Sequence, residues 1–227
     1  PTDALACAAA IGRAALGTAF LRRELRHPDR VLQPRFFRRR TFAAANAAIA
    51  LSNLAMYTTL LAIPILLSQQ AGWGSAEVGL VLAAMSTGMV VFSPLGGHLA
   101  DRLGRRWPTV FGLCLLSLGL LPLALTGGVV ATQALLGGLG VAGAGLGLSM
   151  AGMQTAALES VDLGDSGVAS GVFSTSRYLG SIVGSSLLGG MLASVDGGLD
   201  VFGPVFLMAA VAAFLSVLAS CGLHDRP

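Results

Sequence analysis

The sequence predicts an all-α integral membrane protein in which six full transmembrane helices form two inverted triplets, preceded by part of another helix. Composition is the first reason: of 227 residues, 54% are hydrophobic and 11% are charged, whereas a soluble domain carries about 25% charged residues. Length is the second, because six apolar stretches approach or exceed the roughly 20 residues that cross a bilayer as a helix. The third is an unequal distribution of arginine between alternate connections.

The six apolar stretches are separated by short polar connections, and none shows the alternation of a membrane β-strand. They comprise residues 42–68, 76–97, 108–126, 129–153, 168–193 and 203–222. A weaker seventh stretch, 4–21, is interrupted by Arg13. No secretory leader opens the sequence, so we expect a piece of a longer chain. The expected segments are the end of a preceding transmembrane helix (1–21), a basic cytoplasmic linker (22–41), a six-helix bundle (42–222) and a cytoplasmic tail (223–227).

The distribution of arginine orients the helices. All 14 basic residues are arginine, and eight of them lie in 22–40 and three in 98–107. The alternate connections hold no arginine: 68–77, 126–128 and 194–203. The positive-inside rule therefore places the arginine-bearing connections on the cytoplasmic side of the cell membrane. The connection 155–167 departs from this pattern, since it holds three acids and no arginine, but acids weigh little in the rule. The basic run at 22–40 favours a topology determinant over a site for RNA or anionic lipid, and we expect no nucleic-acid partner.

The order of the stretches suggests a duplication. Each triplet has an odd number of spans, so the two triplets enter the membrane from opposite faces, which is the 3+3 inverted repeat typical of half a transporter. The first member of each triplet carries polar residues and is expected to face an interior. The third member is the most uniformly apolar and is expected to face lipid.

The connection between the second and third stretches reads GGHLADRLGRR, from Gly96 to Arg106. Gly97 is expected to let two helices approach closely, and Gly104 to permit a tight reversal. Asp101 is placed to cap a helix N-terminus or to hold the neighbouring arginines. A charged latch at the membrane surface suits a contact that is made in one state and broken in another. The alternative is an ordinary polar turn.

This connection resembles the signature loop of the major facilitator superfamily, so six of its residues form the predicted conformational latch: Gly97, Asp101, Arg102, Gly104, Arg105 and Arg106. Three further segments resemble the fourteen-span drug:proton antiporter branch: LQPRFFRRRTFAAAN (32–46), GLGLSMAGMQTAALESV (145–161) and GVASGVFSTSRYLGSIVG (167–184). The resemblance implies the C-terminal half of a proton-coupled exporter of small amphipathic compounds or drugs, working by alternating access beside its N-terminal half. An uptake carrier for a small solute and a non-transporting sensor or structural protein are the alternatives.

The candidate substrate-cavity residues lie on the first and fourth stretches. Asn46, Asn53 and Tyr57 share one helical face, and a polar stripe in a membrane helix faces protein or water. The resemblance makes the first helix of each triplet cavity-lining, and helix packing is the alternative. Near the end of the fourth stretch stand Met150, Met153 and Gln154. Methionine adapts to ligands of varied shape, although it is also a common packing residue.

Arg177 is a further cavity candidate, because it lies about ten residues inside the fifth stretch. A charge at that depth pairs, faces a cavity or extends toward the headgroups. All eleven Asp and Glu residues lie in connections or near span ends, whereas proton coupling calls for a carboxyl in a dry cavity. The coupling carboxylate is therefore expected in the missing N-terminal half.

No constellation of residues indicates catalysis or a metal site. The three cysteines (Cys7, Cys114 and Cys221) lie in or beside separate apolar stretches, with no spacing typical of metal ligands. The three histidines lie in connections rather than beside a nucleophile. We therefore expect neither an enzyme nor a cofactor-binding protein.

Overall fold

Six long helices make up most of what the computed structural model describes, namely residues 34–69, 73–128, 131–193 and 201–224. They are α1 (Arg40–Gln69), α2 (Ser75–Leu103), α3 (Arg106–Thr126), α4 (Thr132–Glu159), α5 (Ser166–Ala193) and α6 (Phe202–Ser220). Short 3-10 turns lie at Pro34–Arg38 and Leu163–Asp165. All six helices belong to one compact unit, Phe36–Pro227.

The all-helical prediction is confirmed for these residues. Five helices are long and apolar enough to cross a membrane by length and composition; α5 is not among them, because it carries Arg177 and several serines. Two helices differ from the prediction by more than two residues at an end: α2 continues past residue 97 to Leu103, and α4 begins at Thr132 and continues to Glu159. Both extensions are polar turns that hydropathy alone leaves out. The predicted helix end at 1–21, most of the linker and the last residues of the tail lie outside the described residues.

Helices α1 and α4 are the central members of the bundle. α4 packs against α2 and α3, α1 packs against α5 and α6, and α3 packs against α6. Exchange of the first three helices with the last three maps this pattern onto itself. Of the five helices that are apolar enough to cross a membrane, α2 is the most exposed: its apolar window is 11% buried, against 39% for α3 and 50% for α6. The third helices, which are expected to face lipid, cover one another along one side and carry exposed apolar side chains elsewhere, such as Leu118 of α3 and Phe214 of α6.

Glycine allows close backbone contact along α4 and α1. A Cβ added at Gly96 of α2 would lie 2.6 Å from the Leu148 carbonyl oxygen, and one at Gly184 of α5 would lie 2.7 Å from the Leu54 carbonyl oxygen. Any larger residue at these positions would collide with backbone rather than with a movable side chain. α2 therefore lies close against α4 and α5 close against α1, and these four helices surround the candidate site.

Candidate functional site

A cavity of about 240 Å³ lies between four helices. α1, α4 and α5 contribute most of its wall, and α2 contributes one methionine. The lining residues are Ile49, Asn53, Met56, Tyr57, Met89, Leu146, Met150, Met153, Arg177, Tyr178 and Ser181. Five of the seven cavity residues predicted from the sequence lie together here: Asn53, Tyr57, Met150, Met153 and Arg177. Their convergence from three helices gives a polar site with adaptable apolar walls.

The α1 wall of the cavity follows helical spacing. Ile49, Asn53, Met56 and Tyr57 recur at intervals that place them on one face. The Asn53 side chain is 7% exposed, and its amide nitrogen donates to the Ile49 carbonyl oxygen at 3.0 Å. This bond holds the side chain against its own helix and leaves the amide oxygen and the second amide N–H available to a ligand.

Two predicted residues lie elsewhere. Asn46 is buried on α1, nearer the start of that helix than the residues that line the cavity. Its amide oxygen accepts a hydrogen bond of 2.8 Å from the Ser176 hydroxyl, and its amide nitrogen donates to the Phe42 carbonyl oxygen at 2.8 Å. It therefore joins α1 to α5, which is the packing role that the sequence left as its alternative. Gln154 is exposed and does not line the cavity, because it follows Met153 and so projects from a different face of α4.

Arg177 lines the cavity rather than an outer surface. Its guanidinium carbon lies 5.1 Å from the centroid of the Tyr178 ring, and one guanidinium nitrogen donates to the Tyr178 phenol oxygen at 3.4 Å. Tyr178 is itself 56% exposed, so this pair forms the open rim. Arg177 therefore lines a cavity that opens at this rim, and its contact with a substrate stays a prediction.

Four methionines line the cavity, of which sequence reasoning identified two. Met56 and Met89 were missed, since a methionine on an apolar membrane helix has the same local pattern whether it faces lipid, protein or ligand. The signal for Met56 is its position beside Tyr57 on the polar stripe. Nothing local singles out Met89, whose place in the cavity depends on how α2 packs against α4.

In the signature loop, the structure confirms a turn at Gly104 and adds an ion pair. Gly104 ends α2 with φ of +84°, a conformation that favours glycine. The Arg105 guanidinium donates to the Glu159 carboxylate at the end of α4, at 2.6 Å. Asp101 lies exposed in the last turn of α2, and no described residue is bonded to its carboxylate. The arginine therefore binds an acid on another helix and not Asp101.

Within the described part of the chain, Gly97 makes no close helix contact, so its expected role in helix approach stays a prediction. A Cβ added at Gly97 would meet no atom within 4 Å, whereas one at Gly96 would lie 2.6 Å from the Leu148 carbonyl oxygen. The two glycines are adjacent and point about 100° apart around the helix, so only one of them can face α4. The residue that needs to be small for the α2–α4 contact is Gly96.

The acidic connection after α4 forms ion pairs that the sequence analysis did not predict. Asp162 forms an ion pair with Arg39 at 3.2 Å, and Arg39 also donates to the Ser160 carbonyl oxygen. Together with Arg105–Glu159, this fixes two arginine-bearing segments to the end of α4. The sequence contains a signal for these ion pairs, because the connection 155–167 holds three acids and no arginine, and the predicted topology places it on the same side as the arginine-bearing connections. Among the described residues, no group of three His, Cys, Asp or Glu could hold a metal ion.

Comparison with known proteins identifies the relatives of this arrangement. Residues 45–227 match the Major Facilitator Superfamily. The multidrug resistance protein Stp of Mycobacterium tuberculosis is 35% identical over 182 residues, which are 80% of this chain and 34% of that protein. The uncharacterized MFS-type transporter YvkA of Bacillus subtilis is 31% identical over 198 residues, which are 87% of this chain and 44% of that protein.

A solved structure extends the comparison to the fold. An auto-inhibited peptide transporter of the POT family aligns with a TM-score of 0.68 at 20% identity, over 83% of this chain and 38% of that one. At that identity the likeness shows the fold alone. The chain spans between a third and a half of the length of Stp and YvkA.

Proposed function

Because the chain belongs to the Major Facilitator Superfamily, we propose that it forms the C-terminal half of a secondary transporter that exports small amphipathic compounds across the cell membrane in exchange for protons. The observation that carries this proposal is the cavity, in which a polar stripe, four methionines and one arginine converge from four helices. Methionine walls suit ligands of varied shape. The similarity to a protein named for multidrug resistance supports export of such compounds.

The packing pattern supports the 3+3 inverted repeat. If α1–α3 and α4–α6 are copies, each contact of one triplet needs a counterpart in the other. The packing of α2 and α3 against α4 corresponds to the packing of α5 and α6 against α1. The contact between α3 and α6 is its own counterpart. In this arrangement α1 and α4 are equivalent helices that lie at the cavity, as expected where a substrate site forms at the interface of two repeats.

The rest of the transporter is proposed to close the open side of the cavity. α2 and α5 flank it, and both carry large exposed apolar side chains, among them Val90, Val91, Ile182 and Val183. Exposed apolar surface of this extent indicates lipid or protein contact. An N-terminal half seated against α2 and α5 would complete the substrate site and hold it near the bilayer midplane.

Alternating access then consists of rocking of one half against the other. The Arg105–Glu159 pair joins segments of the same half, so it stays intact during rigid-body motion and stabilises the half itself. Asp101 is bonded to no described residue, so its carboxylate is available to a partner in the other half in one of the two states. We therefore propose that Asp101 is the switching element of the latch and Arg105 its fixed support.

Proton coupling is assigned to the remaining part of the transporter. None of the eleven residues that line the cavity is acidic, and a carboxyl that takes up protons on each cycle needs a dry site that shifts its pKa. An acid from the N-terminal half is the expected coupling group.

The test is flux in proteoliposomes that contain the full-length transporter to which this chain belongs. We expect accumulation of an amphipathic dye driven by an imposed pH gradient and abolished by a protonophore. Transport in the opposite direction, with the solute moving together with protons toward the cytoplasm, would favour an uptake carrier. Specific binding without flux under any gradient would favour the non-transporting alternative.

A further inference from the structure

We infer that the substrates of this cavity carry an anionic group on a compact apolar body, and that Arg177 binds the anionic group. The inference rests on the proposed function and names the chemical class of its substrate. It departs from a site for cationic amphipaths, which would present a carboxylate to the ligand.

The charge of the cavity is the first observation. Of its eleven lining residues, Arg177 alone is charged. It stands about 16 Å along the axis of α5 from the first residue of that helix, at a rise of about 1.5 Å per residue. An arginine at that depth is costly without an anionic or polar partner.

No acid of the described chain is placed to neutralise Arg177. The acids nearest in the sequence are Glu159, Asp162 and Asp165, which lie at the α4–α5 connection outside the cavity lining. Two of them are bonded to other arginines. Glu159 pairs with Arg105 at 2.6 Å, and Asp162 pairs with Arg39 at 3.2 Å. Glu77 and Asp101 lie in the first and last turns of α2. The positive charge in the cavity is therefore not compensated by any acid among the residues that the structure describes.

The geometry of Arg177 leaves donors for a ligand. A guanidinium has five N–H donors in a planar fork, and the contact with the Tyr178 phenol at 3.4 Å engages one nitrogen. The ring of Tyr178 lies on the guanidinium at 5.1 Å, which holds it by a cation–π contact without using its in-plane donors. A carboxylate or another planar oxyanion can accept two parallel hydrogen bonds from such a fork.

The remaining wall sets the shape of the ligand. Ile49, Leu146 and the four methionines give an apolar surface, while Asn53, Tyr57 and Ser181 supply hydrogen bonds. The volume of about 240 Å³ is below the roughly 300–1,000 Å³ of drug-sized sites. It fits an oxyanion with one adjoining ring system, and any longer part of the substrate would extend toward the other half.

The experiment measures binding of three probes with the same aromatic body to the full-length transporter in nanodiscs. The probes are naphthylacetate, naphthylacetamide and naphthylethylammonium. We expect naphthylacetate to bind about tenfold or more tightly than the amide, as a charge-assisted bidentate contact allows, and the ammonium probe to bind least well. Arg177→Gln should remove this preference by weakening naphthylacetate and by relieving the repulsion of the ammonium probe, while the amide changes little. Arg177→Lys should retain only the part of the preference that comes from charge, because an ammonium group cannot make the bidentate contact.

Arg38→Gln is the matched control, because it removes the same charge from an exposed arginine outside the cavity, and it should leave all three affinities unchanged. Equal affinities of the three probes for the unmodified protein would overturn the inference, and this outcome does not depend on whether any variant folds. A uniform change in all three on Arg177→Gln would also overturn it and would indicate an acid of the other half paired with Arg177. Flux of cationic and neutral dyes with no anion preference would leave export standing and reject the anionic class, whereas no flux of any probe would reject the export function itself.

Discussion

Two adjacent glycines of α2 offer a sharp test of the packing, because a single added methyl group should destabilise the protein more at one of them than at the other. At Gly96 the new Cβ would lie 2.6 Å from the Leu148 carbonyl oxygen and 2.7 Å from the Leu148 Cα, whereas at Gly97 it would meet nothing within 4 Å. Both Leu148 atoms belong to the α4 backbone, so relief requires the two helices to separate. Overpacking of this kind costs about 1–3 kcal/mol.

Helix propensity makes the pair a controlled comparison. Replacing glycine by alanine inside a helix stabilises it by about 1 kcal/mol, and this gain is the same at both positions. Gly97→Ala should therefore be neutral or stabilising, while Gly96→Ala should be less stable than Gly97→Ala by about 1–3 kcal/mol. The measurement is the free energy of unfolding of the full-length transporter in mixed micelles. Variants that differ by less than about 0.5 kcal/mol, a margin typical of surface substitutions, or a larger loss at Gly97, would refute the assigned helix register.

Three further predictions concern the arginine-bearing end of the bundle and the topology. A double-mutant cycle of Arg105→Gln and Glu159→Gln should give a coupling of about 1 kcal/mol in the free energy of unfolding. The coupling is no larger because the Glu159 side chain is 42% exposed and solvent screens the pair. A coupling of zero would mean that the pair does not stabilise the protein. Asp101→Asn should depress turnover in proteoliposomes while leaving unfolding free energy unchanged, and normal turnover would reduce the loop to a turn. In a cysteine-free background, a cysteine at Gly74 should react with an impermeant thiol reagent from outside intact cells, and one at Leu103 only after permeabilisation; reaction of both from one side would contradict the topology. Leu103 is chosen as the labelling position because the neighbouring Gly104 has a φ of +84°, which disfavours a residue with a side chain.

The positions of the helices could be predicted from the sequence because spanning a bilayer is a local requirement on length and apolarity. Each of the six stretches between residues 42 and 222 corresponds to one helix, whereas the weaker stretch 4–21 lies outside the described residues. The helix ends were less accessible, since the polar last turns of α2 and α4 extend to Leu103 and Glu159 beyond the apolar segment that hydropathy detects. Helix–helix contacts were not accessible at all: Gly96 and Gly97 are equivalent in the sequence, and only the orientation of α2 against α4 distinguishes them.

The candidate site divides in the same way. Asn53 and Tyr57 could be found because their spacing on one helix is visible in the sequence, and Arg177 because a charge inside an apolar stretch is conspicuous. Met89 and the partner of Arg105 depend on which helices pack together, and Arg105 and Glu159 are separated by 54 residues along the chain. Asn46 satisfied the same spacing rule as Asn53, but a serine of α5 lies against it, so it serves packing instead.

The central claim is that the cavity holds the transported compound. It is tested most directly by asking whether substrate protects cysteines introduced at two serine positions of α5 from alkylation. Ser181 lines the cavity, and Ser185, one helical turn further on, does not. Each is replaced by cysteine in a cysteine-free full-length transporter, and the alkylation rate is measured with and without a saturating transported substrate. The account predicts that substrate slows alkylation at Ser181→Cys and leaves Ser185→Cys unchanged. Equal rates at Ser181→Cys with and without substrate, or equal protection of both cysteines, would contradict it.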